Sequence, residues 1–194
     1  MEKFLLSSHN SWSYLRPKKW WMWPFAFMAK CQRVDIRKQY YLGVRCFDLR
    51  IRFTKDGRLQ VAHGMMVYDI SSVELKQDLK WIHEQGGCMI RLMHEVRRKS
   101  EYTWESLKLF REWCNELEVE YYNIDFWGGQ NLYNCNYDYD FWCKPSCDEK
   151  YASVCKPKLI DDWWPWRFAY FNNHHILEQG SEKEILMIDF VDIG

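Results

Sequence analysis

The ten residues from Val44 to Phe53 alternate between two chemistries, with Cys46, Asp48, Arg50 and Arg52 on one side of an extended chain and Arg45, Phe47, Leu49, Ile51 and Phe53 on the other. One face of this strand is polar and the other mostly apolar. If helices cover the apolar face, Asp48 and Arg50 point to the opposite side near the strand's carboxyl end. For an isolated Asp-x-Arg, a salt-bridged surface strand is the default reading. Here the neighbouring segments argue for more.

Lys3 to Ser8 reads as a short strand ending at His9, and Pro17 to Tyr41 as loop and helix. After Val44 to Phe53, Asp56-Gly57 signals a turn, and Arg58 to Ala62 predicts a third strand ending at His63-Gly64. Ser71-Ser72 with Glu74 carries the signature of a helix start, followed by Val73, Leu75, Leu79, Ile82 and His83 at helical spacing and stopped by Gly86-Gly87. Cys88 to Met93 predicts a fourth strand, Thr103 to Glu116 a second helix, and Ile185 to Val191 a terminal strand. Between Asn123 and Asn173 the chain is rich in Tyr, Trp, Asn, Asp and Cys and shows no clean periodicity. Strands alternating with helices imply parallel βα units. A chain of 194 residues fits a single domain spanning 1–194.

Lysine plus arginine balance aspartate plus glutamate at 27 each, so no global field draws the protein to nucleic acid or to an anionic bilayer. No stretch has the length of a signal peptide or a membrane span, which predicts a cytoplasmic protein, peripheral at membranes if it meets them at all. Most of the eight cysteines are then expected as reduced thiols. Cys135, Cys143, Cys147 and Cys155 cluster, but their spacing is not that of the tight pairs of a structural zinc site.

Two histidines and an arginine stand at strand ends: His9 in Ser7-Ser8-His9-Asn10-Ser11, Arg50 in Phe47-Asp48-Leu49-Arg50, and His63 in Val61-Ala62-His63-Gly64. One imidazole can take a proton from an attacking hydroxyl, a second can protonate a leaving oxygen, and a guanidinium can hold phosphoryl oxygens as charge builds on them. Together they supply the parts for cleaving a phosphodiester.

The same segments, with Cys31-Gln32, Ile36, Gln39, Leu42-Gly43-Val44-Arg45 and Cys46, resemble the X region of the phosphatidylinositol-specific phospholipase C family, most strongly over residues 5–64. A weaker echo of its last strand lies in Ile185-Leu186-Met187-Ile188-Asp189-Phe190-Val191. The resemblance implies an α/β fold with a small TIM-type (β/α) barrel, distorted or incomplete, and a site at the carboxyl ends of its strands. It implies His9 as general base, His63 as general acid and Arg50, steadied by Asp48, as phosphate clamp. The first product would be a cyclic phosphodiester. Asn10 stands where many bacterial members have aspartate and calcium-dependent ones asparagine. Those calcium-dependent relatives are acidic at the Arg50 position, so Asp48-x-Arg50 implies no metal and no cofactor.

Two supporting assignments are expected: His94, chosen over Arg91 and Glu95 in the strand that carries all three, and Asp189, orienting His9. Each has a structural reading of equal weight, as a solvated strand end or a buried aspartate. Lys18-Lys19-Trp20-Trp21-Met22-Trp23 suits a phospholipid surface, where Trp20, Trp21 and Trp23 sink and ammonium groups meet phosphates, although core packing is the favoured role for at least some of these rings. The expected partner is a phospholipid or other phosphodiester. The alternatives are a metal-dependent glycerophosphodiester or sphingomyelin phosphodiesterase, against which Arg50 counts, and a non-catalytic phospholipid-binding barrel.

Overall fold

The computed structural model describes residues 4–95, 103–117, 122–126, 139–141, 159–182 and 184–194. Its centre is the alternating strand, β2 (Val44–Phe53), flanked by β1 (Leu5–Ser8) and β5 (Met89–His94), both parallel to it. The parallel set extends through β6 (Tyr122–Phe126) beyond β5, and through β8 (Ile185–Ile188) and β7 (Tyr139–Phe141) beyond β1. The order across the sheet is therefore β7-β8-β1-β2-β5-β6. A hairpin of β3 (Leu59–His63) and β4 (Met66–Val67) adds antiparallel to the carboxyl-terminal part of β2, pairing Ile51 with Val61. The sheet does not close into a barrel among the described residues, where β6 and β7 are unjoined edges, which leaves the incomplete form of the expected barrel. The fold is mixed α/β, with the sheet open among the described residues.

The helices cover one face of that sheet. They are α1 (Ile36–Tyr41), α2 (Ser72–Glu84), α3 (Trp104–Glu116) and α4 (Pro165–Gln179). Helix α2 begins with the expected capping box, Ser71 accepting from the Glu74 N–H while the Glu74 carboxylate accepts from the Ser71 N–H. Thr103 and Ser106 cap α3 in the same manner. Leu75, Leu79 and Ile82 of α2 and Leu107, Phe110 and Trp113 of α3 meet Phe47, Leu49 and Ile51 in the main core. Burying each such side chain is worth about 1.5–3 kcal/mol. Helix α4 was not expected from the aperiodic segment. Pro165 starts it at a position that tolerates a missing N–H, and Phe168 and Ile176 anchor it to the core.

The opposite, inner face is arranged in layers. At its amino-terminal end Leu5, Cys46, Met89 and Ile185 form a small apolar plug. One step along the strands come Asp48 and Arg91, and beyond them His9, Arg50 and Asp189. The last strand stops at Ile188 rather than Val191, because Phe190 turns into the left-handed region (φ 49°) with its N–H held by the Cys31 carbonyl at 2.6 Å. The fourth strand runs to His94, one residue past the expected end.

His94 faces the helices, not the inner face. It lies in the β5 row with Ile90 and Leu92, its ring 5.2 Å from that of Phe110. Loss of hydration, reinforced by the Arg52 charge, pushes its pKa down to about 4. In an unfolded chain the same ring titrates near about 6.5, so between these values unfolding takes up a proton and stability is lost as pH falls. The gap corresponds to about 3 kcal/mol. Chemical denaturation at a series of pH values from 7 to 4 should show the wild type weakening steeply, and His94→Leu should flatten much of that slope. An unaltered slope would assign the proton uptake elsewhere.

Candidate active site

Asp48 is fully buried on the inner face and gathers three donors. One carboxylate oxygen accepts from Arg50 Nε and from the Asn10 N–H, both at 2.9 Å, and the other from Arg91 Nη1 at 2.8 Å. Burial alone would raise its pKa, but the two guanidiniums and the Asn10 N–H outweigh that and hold it below the usual carboxylate range. Arg50 loses hydration too, yet Asp48 and Glu95 more than compensate and raise its pKa. Glu95 Oε2 lies 3.6 Å from Arg50 Nη1, while its Oε1 accepts from the Gly64 N–H at 2.8 Å. Glu95 thus ties the arginine to the turn that follows His63.

His9 sits at the end of β1, 2 % exposed, with Nδ1 2.7 Å from Asp189 Oδ1. A carboxylate can only accept, which places the proton on Nδ1 and the lone pair on Nε2. The strand end is fixed by amide side chains. Gln32 donates to the carbonyls of His9 and Ile188, and its own oxygen accepts from the Val191 N–H. Asn173 of α4 holds the carbonyls of Asp189 and Phe190. Serines in and just after the first motif serve the same scaffold: Ser13 Oγ accepts from the N–H groups of Cys31 and Gln32, and Ser11 Oγ donates to the Ser8 carbonyl.

Asn10 follows in the left-handed region (φ 42°), which Asn enters more readily than most residues. Its side chain is fully buried, and neither amide atom has a hydrogen-bond partner among the described residues. A buried orphan amide is costly unless something occupies it, so this is a mark of a site that receives a polar group.

His63, half-buried at the end of β3, faces His9 edge-on with the ring centroids 5.3 Å apart. Its Nδ1 is 3.1 Å from the Ala29 carbonyl, which also accepts from the Tyr68 hydroxyl, so Nδ1 carries a proton here as well. Desolvation and the Arg50 charge lower its pKa, against the opposing pull of Glu95 and the Ala29 carbonyl. Cys31 Sγ stands 3.7 Å from the same nitrogen, a contact that nothing in its loop sequence singled out.

The structure therefore brings His9, Asn10, Asp48, Arg50, His63 and Asp189 to one inner-face cluster. His94 is not among them; Arg91 and Glu95, the two alternatives in its strand, are. Trp20, Trp21 and Trp23 lie in a 3-10 segment, Trp20–Met28, with no buried residue, and are 74 %, 51 % and 51 % exposed. Their expected packing into the core does not occur. Phe27 of this segment meets Trp164 with ring centroids 6.1 Å apart, joining it to exposed Trp163, Trp164, Tyr170 and Phe171. The cluster of Cys135, Cys143, Cys147 and Cys155 lies outside the described residues, whereas Cys31 and Cys88 are buried thiols without a disulfide.

The His63 environment gives a direct test. Its imidazole C–H resonances should titrate below the ordinary histidine midpoint in proton NMR, and Glu95→Gln, which removes an opposing negative charge, should move the midpoint lower still. A midpoint at or above the ordinary value would contradict the electrostatic account.

A family model described as phosphatidylinositol-specific phospholipase C, X domain, matches residues 2–87. Among solved structures, a double mutant of the phosphatidylinositol-specific phospholipase C from Staphylococcus aureus superposes with a TM-score of 0.64 at 15% identity, covering 96% of this chain and 84% of that one. The Listeria monocytogenes enzyme gives 0.62 at 13% identity, covering 96% and 87%. A further S. aureus structure, from work on modulation of that enzyme's membrane binding, gives 0.61 at 15%. No curated protein matches the chain. Over residues 2–87 the chain is similar to the phosphatidylinositol-specific phospholipase C X domain, and as a whole it has the α/β fold of the bacterial enzymes on which it superposes.

Proposed function

We propose that this protein is a metal-independent phosphodiesterase of the phosphatidylinositol phospholipase C type, cleaving an inositol phospholipid by paired imidazole catalysis. The observation that carries the reading is the facing pair His9 and His63, set 5.3 Å apart beside Arg50, with Asp189 behind His9. His9 Nε2 removes the proton from a hydroxyl next to the phosphodiester, and Asp189 stabilises the imidazolium that results. The oxygen attacks phosphorus within one substrate, where proximity is already supplied. As the bond to the lipid alcohol breaks, protonated His63 gives its Nε2 proton to the departing oxygen, leaving a cyclic phosphodiester and a diacylglycerol.

Arg50 holds the phosphoryl oxygens, steadied by Asp48 and Glu95, and the orphan amide of Asn10 hydrogen-bonds to substrate. The rival metal-dependent mechanism needs carboxylates to hold a cation. Here Asp48 is taken by two guanidiniums and Glu95 by Arg50 and the Gly64 N–H, which favours the metal-independent reading. No helix among the described residues is long and apolar enough to cross a membrane. The exposed rings of Trp20–Met28, with Lys19 over Trp21 and Arg16 over Trp23, suit peripheral docking on the phospholipid surface. Their segment ends beside Ala29, whose carbonyl contacts His63, so docking there brings headgroups to the site.

Incubating the protein with phosphatidylinositol vesicles and following phosphorus NMR should reveal a cyclic inositol phosphate. His9→Ala and His63→Ala should each lower its rate by about 10²–10⁴. Lipid that stays intact while bound would replace this reading with the non-catalytic module. For the docking surface, alanine at Trp20, Trp21 and Trp23 together should reduce vesicle sedimentation while sparing turnover of a soluble, short-chain substrate; sedimentation equal to wild type would remove these rings from the account.

A further inference from the structure

Cys31 has no part in the chemistry above, yet its sulfur and one ring nitrogen of each of His9 and His63 lie within 4.8 Å of one another. We propose that these three side chains form a binding site for a thiophilic divalent cation, with Zn²⁺ as the representative ion, and that its occupancy shuts the enzyme off.

The donors select the ion. Two imidazole nitrogens and a thiolate suit zinc, cadmium or copper and offer nothing to calcium or magnesium, which take oxygen ligands. Tetrahedral zinc, with bonds of about 2.0–2.3 Å, sets neighbouring ligand atoms about 3.3–3.7 Å apart. Cys31 Sγ and His63 Nδ1 are already at 3.7 Å, and the remaining contraction from 4.8 Å is of the size that small side-chain rotations supply. His9 offers Nε2, because Asp189 holds its Nδ1. This is the carboxylate-histidine pairing that orients metal-binding imidazoles and raises their basicity. His63 offers Nδ1, the atom 3.7 Å from the sulfur, once it gives up its proton and its ring turns off the Ala29 carbonyl, which keeps its bond from Tyr68.

Around the donors the carboxylates of Asp48, Glu95 and Asp189 face the guanidiniums of Arg50, Arg91 and Arg52, three against three. Burial and Asp189 oppose loss of the Cys31 proton in the free protein, and a dication bonded to the sulfur offsets the negative charge that this loss creates. Binding forms a metal–sulfur bond and releases the thiol proton to solvent. The inhibitory consequence rests on the function proposed above: the His9 lone pair, once given to zinc, is not available to accept a proton. The ion is an antagonist of catalysis, not its cofactor.

The test uses the intact chain, stripped with chelator and desalted. Titration calorimetry with Zn²⁺ should show a site whose affinity falls at least about tenfold in Cys31→Ser and about 10–100-fold in Asp189→Asn. Co²⁺ on the wild type should give a thiolate-to-metal charge-transfer band that disappears in both Cys31→Ser and Cys31→Ala. Ion bound at other cysteines would survive these substitutions. A circular dichroism melt in zinc-free buffer checks that the variants are folded, and the wild-type cobalt spectrum needs no variant.

With phosphatidylinositol vesicles, Zn²⁺ should abolish wild-type turnover reversibly on chelation, and Cys31→Ser, measured against its own zinc-free rate, should need at least about tenfold more zinc. Absence of the thiolate band, or equal zinc affinity in wild type and Cys31→Ser, overturns the proposal. A protein that binds zinc through Cys31 but never turns over lipid would keep the site and discard the function; one that turns over lipid unaffected by zinc would do the reverse.

Discussion

The Asp48 carboxylate is the contact on which the inner face depends. It lies in the middle of the central strand, and its three donors come from three different segments: Asn10 from the turn after β1, Arg50 from β2 itself and Arg91 from β5. A carboxylate taken fully out of water is expensive unless both oxygens find donors and a positive charge is close. Both conditions hold, and neither guanidinium can leave without stranding the charge it neutralises. The backbone turn that carries His9 into the site is therefore tied to the residue that orients Arg50. Two groups far apart in sequence acquire one common reference point.

From that point the geometry propagates by short links. Glu95 joins Arg50 to the Gly64 N–H and so to the hairpin end that carries His63, while Arg52 donates to the Gly64 carbonyl on the other side of the same turn. Gly64 takes a left-handed conformation (φ 55°) there, which lets β3 reverse immediately after the histidine. On the other flank Gln32 and Asn173 fix the ends of β1 and β8, and with them His9 and Asp189. The side chains of the candidate site are thus held by hydrogen bonds from residues outside the proposed chemistry, an arrangement that keeps a polar site organised.

What could be read from the residues follows where a single period dominates. The unbroken alternation of β2 put Asp48 and Arg50 on the face opposite the helices, and capping pairs located α2 and α3 because those contacts are local. His94 against Arg91 and Glu95 is a question of parity along one strand, and parity is settled by pairing: Asp48 stands beside Arg91 and Arg50 beside Met93, which turns His94 outward. A strand of Met, Ile, Arg, Leu and His shows too little contrast between its faces to reveal this. Helix α4 was hidden by its surface, where exposed Tyr170 and Phe171 blur the apolar stripe that Phe168, Asn172 and Ile176 would otherwise mark. The approach of Cys31 to His63 arises from a loop folding back across β3, a long-range event with no local signature.

The two histidines are held in opposite ways, and the difference bears on which does what. His9 is backed by a carboxylate, so the positive charge it acquires on taking a proton is met by a fixed negative partner 2.7 Å away. His63 is backed by a neutral carbonyl, and burial and Arg50 both press it toward giving its proton up. A ring whose cationic form is stabilised suits proton acceptance, and one whose cationic form is destabilised suits donation. Asn10 sharpens the contrast, since an aspartate there would set another negative charge beside Asp48. Asparagine preserves the left-handed turn and the polar side chain without that charge, so the surroundings of the two imidazoles favour the division of roles proposed for them.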